Sequence, residues 1–152
     1  MTIDHLKPAT PNKDAPSSIL FVCSMNAVRS PMAAAITRTL YPHIIYTRSA
    51  GIEKGENDPF VKAVMNELGI DISTHYPHTF TELNDGNFDL TITLSQEAKQ
   101  QAEDIMATNG SVMEFWPTED PTLTSGKREQ VLDAYRAVRD TLIERILERF
   151  SG

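Results

Sequence analysis

The sequence predicts a single α/β domain of three layers, with helices covering both faces of a four-stranded parallel sheet in the order 2-1-3-4. Two observations carry that prediction. From Ser18 onward, short apolar, β-branched runs alternate with longer stretches of helical period. A chain of 152 residues also holds about one hydrophobic core and leaves no room for a second.

Strands are expected at 19–23, 44–47, 90–94 and 112–116, where apolar and β-branched side chains cluster between turn formers. Helices are expected at 31–40, 59–68, 96–106 and 127–150. The second of these has Pro59 at its start and Gly69 beyond its end. The last sets Val131, Tyr135, Val138, Leu142, Ile146 and Phe150 along one stripe that should face the sheet. Residues 1–18 hold Pro8, Pro11 and Pro16 among polar side chains and read as a flexible tail, which leaves 19–152 as the domain.

Composition narrows the function classes. A net charge of -7 argues against a nucleic-acid partner, because affinity for a phosphate backbone comes from clustered Lys and Arg. No apolar run approaches the roughly 20 residues that a membrane helix needs. The first residues lack the apolar segment and small-residue cleavage site of a secretory leader. With Cys 1 in the composition, neither an internal disulfide nor a multi-cysteine zinc site can form, and a lone thiol suits a reducing compartment, so the cytoplasm is expected.

The informative segment runs from Ile19 to Pro31, a buried strand followed by Cys23-Ser24-Met25-Asn26-Ala27-Val28-Arg29-Ser30-Pro31. Ser30 fits a helix N-cap and Pro31 a first helical position, so the loop should end at a helix N-terminus. Unpaired amides and the helix dipole there make a nest for a dianion. Arg29 adds a planar fork that grips two oxygens of a phosphate at once. Asn26 suits a loop position of positive φ. Cys23, at the strand end and facing this electropositive turn, is favoured as a thiolate nucleophile, and the Ser30 hydroxyl can stabilise that thiolate when it attacks and when it leaves.

A Cys, five residues, Arg-Ser-Pro, placed between strand and helix, resembles the signature of the low-molecular-weight protein tyrosine phosphatases. Further matches follow in family order: Ser49-Ala50-Gly51, Gly69-Ile70-Asp71-Ile72-Ser73 with His75, Phe88-Asp89-Leu90, and Asp120-Pro121 before the last helix. The resemblance implies the phosphotyrosine phosphatase fold and a phosphocysteine mechanism. In it Cys23 is the nucleophile, residues Ser24 to Ser30 bind the phosphate, Arg29 grips it and Asp120 is the general acid, with Glu119 as neighbouring rival. It implies a phosphorylated protein or small phosphomonoester as substrate, and no metal or organic cofactor.

The family usually places aromatic side chains after the Ser-Ala-Gly turn and after Asp-Pro. Here the corresponding stretches are Ile52 to Asp58, which is polar, and Thr122-Leu123. The same segments are similar to arsenate reductases that share this fold. Since Ser95 occupies the region where many of those carry a further cysteine, only reduction by an external thiol or thioredoxin is open to this chain. A non-catalytic anion sensor is the third reading. His75 and His78 flank a proline with no carboxylate-rich partner set and read as surface residues more readily than metal ligands. No glycine-rich nucleotide fingerprint is present.

Overall fold

The chain's structure, a computed structural model, describes residues 6–25, 27–75, 77–80, 88–106 (without the side chains of 105 and 106) and 112–152. The elements are β1 (Ser18–Cys23), α1 (Arg29–Leu40), β2 (Tyr46–Gly51), α2 (Pro59–Asn66), β3 (Leu90–Thr93), α3 (Gln96–Met106), β4 (Val112–Phe115), a short 3-10 turn (Pro121–Leu123) and α4 (Arg128–Phe150). The sheet has the predicted order β2-β1-β3-β4, with every pairing parallel. Among the described residues no helix is long and apolar enough to cross a membrane.

Strand β1 is the centre of the molecule, and its alternation builds both layers. Ile19, Phe21 and Cys23 point into the larger cluster with Met32 and Ile36 of α1, Val61 and Met65 of α2, and Leu142, Ile146 and Phe150 of α4. Leu20 and Val22 face the other way, toward Ala50, Phe80, Phe88 and Ala98 and Ala102 of α3. A strand buried on both faces explains why its sequence is a continuous apolar run instead of an alternating one. At the other extreme, β4 closes one edge of the sheet, and Val112 is 61% exposed.

Three expectations change on contact with the structure. The second strand spans Tyr46–Gly51, not 44–47: Ile44 is 53% exposed, and the backbone pairs Ser18 with Tyr46 through Cys23 with Gly51. The ladder bonds to β1 override the weak strand propensity of Ser49-Ala50-Gly51. On α4 the buried stripe is Leu132, Tyr135, Val138, Leu142, Ile146 and Phe150, while Val131 is only half-buried. Helix α2 stops at Asn66, and the chain turns over through Gly69 at φ 76, a backbone state that costs glycine little.

The segment read as a flexible tail lies along the domain from Leu6 onward. The amides of Leu6, Ala9 and Asn12 donate to the carbonyls of Leu68 (3.1 Å), Leu40 (2.7 Å) and Phe150 (2.6 Å), and Gly152 donates back to Thr10. Leu6, Ala9 and Ala15 pack on the larger cluster. These bonds satisfy carbonyls at the C-terminal ends of α1 and α4, which have no partner inside their own helices. Prolines kept the segment from resembling a strand or helix, and nothing in its local pattern announces a docking site.

Helix α4 is fastened to α2 by charge. Arg139, 7% exposed, donates to the Val64 carbonyl at 2.8 Å and to Glu67 at 2.7 Å, and Arg136 grips the same carboxylate at 2.8 Å. Hydrogen bonds from Arg136 in the first place hold the Glu67 carboxyl below the usual carboxylate range.

A chain beginning at Pro16 is expected to fold but to lose about 2–4 kcal/mol, on the scale of about 1 kcal/mol for each lost backbone bond plus the uncovered apolar surface. A urea titration followed by circular dichroism checks this, and an unchanged midpoint would mean that the segment is not docked in solution.

Candidate active site

The site is built where β1 ends. Cys23 is the last residue of the central strand, with its sulfur on the face toward α1, and it is 2% exposed. The Ser30 hydroxyl lies 3.0 Å from that sulfur and the Ser30 amide donates to it at 3.4 Å. Ser30 is itself fully buried, and its hydroxyl also lies 3.2 Å from the Ala50 carbonyl, within donating distance.

Ser30 therefore does not cap α1, as the sequence suggested. The helix starts one residue earlier, at Arg29, after Val28, which provides no side-chain cap. Pro31 sits at the third helical position, where its missing amide still costs no intrahelical bond, and Met32 is the first to bond back, to the Val28 carbonyl. The physical reason is that the Ser30 hydroxyl has a better use below the loop, between sulfur and carbonyl, than on the helix's own amides.

The loop between Cys23 and Arg29 is held from outside by the segment that follows β2. The amides of Ile52, Glu53 and Gly55 donate to the carbonyls of Cys23, Ser24 and Met25 at 3.1, 2.9 and 2.8 Å. With those carbonyls engaged, the amides of Met25, Ala27, Val28 and Arg29 donate to no acceptor among the described residues. A turn with outward carbonyls and unspent amides at a helix start has the chemistry of an anion nest. Asn26 lies outside the described residues. The Ser24 hydroxyl is 3.1 Å from that of Ser95, whose oxygen also accepts from the Ala98 amide at the start of α3.

Arg29 is 9% exposed and turned across the cleft. Its Nη1 donates to the Thr118 carbonyl at 3.0 Å, and its Nη2 lies 3.9 Å from Oδ2 of Asp120. Asp120 is half-buried, and its Oδ1 accepts from the Thr122 amide at 3.0 Å and the Thr122 hydroxyl at 2.6 Å. Together with Met25, Glu56 and Asp58, the residues Cys23, Arg29 and Asp120 line one cleft of about 240 Å³. Glu119, the neighbouring carboxylate, lines a different hollow between the 117–121 turn and α4. Trp116 is buried against the rings of Phe21 and Phe150, with both centroids at 6.1 Å, and anchors the segment that leads to this turn.

Sequence reasoning missed four residues here. Gly55 lies so close to the loop that a Cβ would stand 3.1 Å from Cβ of Met25 and 3.2 Å from Cβ of Ala27. Asp58 caps α2 by accepting from the Phe60 amide at 2.8 Å, and it also accepts from the Tyr135 hydroxyl at 2.6 Å. Burial in the first place, then that bond and the charges of Asp58 and Asp120, hold the Tyr135 phenol well above its ordinary range. Thr122 orients Asp120. The Asp58-Pro59 capping pattern was readable from the sequence, whereas the contacts of Gly55, Tyr135 and Thr122 arise only when distant elements meet. No group of three or more His, Cys, Asp or Glu placed to hold a metal ion occurs among the described residues.

Comparison with known proteins shows the family to which the fold belongs. A model of the low molecular weight phosphotyrosine protein phosphatases matches residues 18–150. A glutaredoxin arsenate reductase of Synechocystis is 30% identical over 128 residues, covering 84% of this chain and 92% of the relative. A protein-arginine-phosphatase of Geobacillus stearothermophilus is 29% identical, over 88% of this chain and 96% of the relative. Among solved structures, an arsenate reductase in the phosphate binding state superposes with a TM-score of 0.73 at 29% identity, covering 88% of this chain and 95% of that one. The tyrosine phosphatase amsI of Erwinia amylovora shares the fold at a TM-score of 0.73 and 22% identity, over 93% and 98% of the two chains. With its family pattern covering nearly the whole domain, the chain belongs to the low molecular weight phosphotyrosine protein phosphatase family.

Proposed function

We propose that the chain is a phosphatase that hydrolyses phosphomonoesters, with phosphotyrosine on protein as its substrate class, through a phosphocysteine intermediate. The observation that carries this reading is the Cys23 sulfur at the floor of a cleft, bonded by the Ser30 hydroxyl and amide, with the Arg29 guanidinium across from it. In the proposed reaction the Cys23 thiolate attacks phosphorus, and the bond from phosphorus to the ester oxygen breaks as the one to sulfur forms. Amides of the turn from Ser24 through Asn26, Ala27 and Val28 to Arg29, together with the Arg29 fork, take the charge on the equatorial oxygens. Asp120 protonates the departing oxygen, worth about 10²- to 10⁴-fold for a poor leaving group. It then takes a proton from the water that hydrolyses the phosphocysteine. Ser30 stabilises the sulfur as that bond breaks. A lone thiol that must stay reduced suits a cytoplasmic location.

A second reading, arsenate reduction, is favoured by the similarity to the Synechocystis and Bacillus subtilis arsenate reductases. Cys23 would attack arsenic with loss of water. Because Cys23 is the only cysteine of the chain, an external thiol such as glutaredoxin or thioredoxin would then attack its sulfur, and the electron pair of the sulfur–arsenic bond would leave with arsenite. The mixed disulfide is released by a second thiol of the donor. Glu56, Asp58 and Asp120 around the cleft would also suit a substrate carrying a positive group beside its phosphate, so a phosphoarginine peptide belongs among the test substrates.

Assayed side by side without added metal, the protein should hydrolyse para-nitrophenyl phosphate and a phosphotyrosine peptide, and should not reduce arsenate with glutathione, glutaredoxin or thioredoxin. Arsenate turnover with phosphatase silence would transfer the assignment to the reductase, and silence on all substrates would leave a non-catalytic anion-binding module. Cys23→Ser should abolish turnover. Asp120→Asn should slow alkyl phosphates about 10²-fold and nitrophenyl phosphate much less, and an equal loss on both would remove Asp120 as the acid.

Ser30→Ala deletes the hydroxyl from both the sulfur and the Ala50 carbonyl. Stopped-flow assays should show a burst of nitrophenol followed by a slower steady state, because breakdown of the phosphocysteine loses its stabilised leaving group. Urea unfolding should report a loss of about 1–3 kcal/mol for the unsatisfied carbonyl.

A further inference from the structure

A hollow of about 490 Å³ lies apart from the Cys23 cleft, which measures about 240 Å³. It lies between the outer side of α1, the middle of β2 and the segment that follows Gly69, and its volume is in the range of small-molecule sites, roughly 300–1,000 Å³. Its walls are cationic. Arg38 of α1 and Arg48 of β2 face it, together with the imidazole-bearing residues His75 and His78.

The two arginines line the same hollow, and neither is bonded to a carboxylate among the described residues. Arg38 donates from Nη1 to the Thr47 carbonyl at 3.3 Å, and Arg48 from Nη1 to the Tyr46 hydroxyl at 3.1 Å, and both acceptors are neutral. Neither arginine forms an ion pair among the described residues. Burial first, and then the charge of Arg48, hold the Arg38 guanidinium below its ordinary range. Asp71 is the one carboxylate among the described lining residues, and its Oδ1 accepts from the Ser73 amide at 2.9 Å.

In a protein of net charge -7, with 21 acidic residues available, three arginines of the last helix, Arg136, Arg139 and Arg149, meet carboxylates at 2.7–2.9 Å, and Arg38 and Arg48 meet none among the described residues. Two adjacent guanidinium groups left unmatched at the wall of a roomy polar hollow repel each other, and that repulsion is removed by an anion that both can bond. A tetrahedral phosphate offers oxygens to two forks at once, and a planar carboxylate offers only one edge.

We infer that the hollow between α1, β2 and the 69–78 segment is a second anion site, separate from the Cys23 cleft, that takes the phosphate group of a small molecule. Two of its lining residues, Pro31 and Ser49, directly follow Ser30 and precede Ala50 in sequence. A ligand there sits against the back of the framework that holds the Cys23 sulfur.

The test is a phosphate titration of the full chain with nitrogen-15 in its arginine side chains, read by NMR at constant ionic strength. The Nε signal of Arg29 reports the Cys23 cleft, and those of Arg38 and Arg48 report the second site in the same sample, so failure of one reading is visible apart from failure of the other. Inorganic phosphate should move the Arg38 and Arg48 signals along one saturable curve, with a dissociation constant on the order of 1 mM. Arg48→Gln should weaken that curve about tenfold, as expected from losing a charged hydrogen-bonding partner, and leave the Arg29 curve in place. Arg38→Gln provides the same reading from the opposite wall. Methylphosphonate, an ester mimic that cannot be hydrolysed, identifies an ester as ligand if it binds more tightly than phosphate, and the free ion if it does not. Signals of Arg38 and Arg48 that stay still, that shift equally with chloride, or that titrate unchanged in Arg48→Gln would overturn the site.

Discussion

One contact organises the rest of this molecule: the Cys23 sulfur held by the hydroxyl and the amide of Ser30 at 3.0 and 3.4 Å. It joins the end of the central strand to the first turn of α1, so the backbone between them has to fold into a tight loop. The loop's carbonyls are taken up by Ile52, Glu53 and Gly55, which leaves its amides for something else. Ser30 reaches Ala50 on the other side, and the three elements β1, α1 and β2 become one framework around a single sulfur atom.

The parallel sheet explains why the chemistry gathers at one edge. Every strand ends at the same side, so the loops after β1, β2 and β4 bring Cys23, Asp58 and Asp120 to one cleft although they are far apart in the chain. Helix α4 serves that cleft from behind. Tyr135 ties Asp58, and hence the start of α2, to the helix that packs under the Asp120 turn. The arginine network around Glu67 fixes the relative position of α2 and α4 lower down. Rigidity is supplied by elements that carry no chemistry themselves, the usual division between a scaffold and the loops it presents.

What was legible in the sequence follows from where the physics is local. The Cys23-to-Pro31 segment could be read because a buried strand, a fixed spacing and a helix start all lie within thirteen consecutive residues. The parallel sheet followed from the regular alternation of strands and helices. The second strand was misplaced because Ser49-Ala50-Gly51 has no strand propensity of its own and is extended only by its ladder to β1. Ser30 was assigned to the wrong partner because capping is judged from the helix alone, whereas its hydroxyl is claimed by a sulfur seven residues earlier. The docked first segment and the paired arginines of the second hollow depend on contacts across the whole fold, which periodicity does not encode.

The central claim is that the turn from Cys23 to Ser30 wraps its amides around an oxyanion with the sulfur beneath it. Soaking crystals of the protein with vanadate tests it most directly. The account predicts vanadium bonded to Cys23 Sγ, equatorial oxygens within hydrogen-bond distance of the loop amides, and the Arg29 fork on two of them. Vanadate bound elsewhere, or bound here with Arg29 still turned to Thr118 and no bond to sulfur, would contradict it.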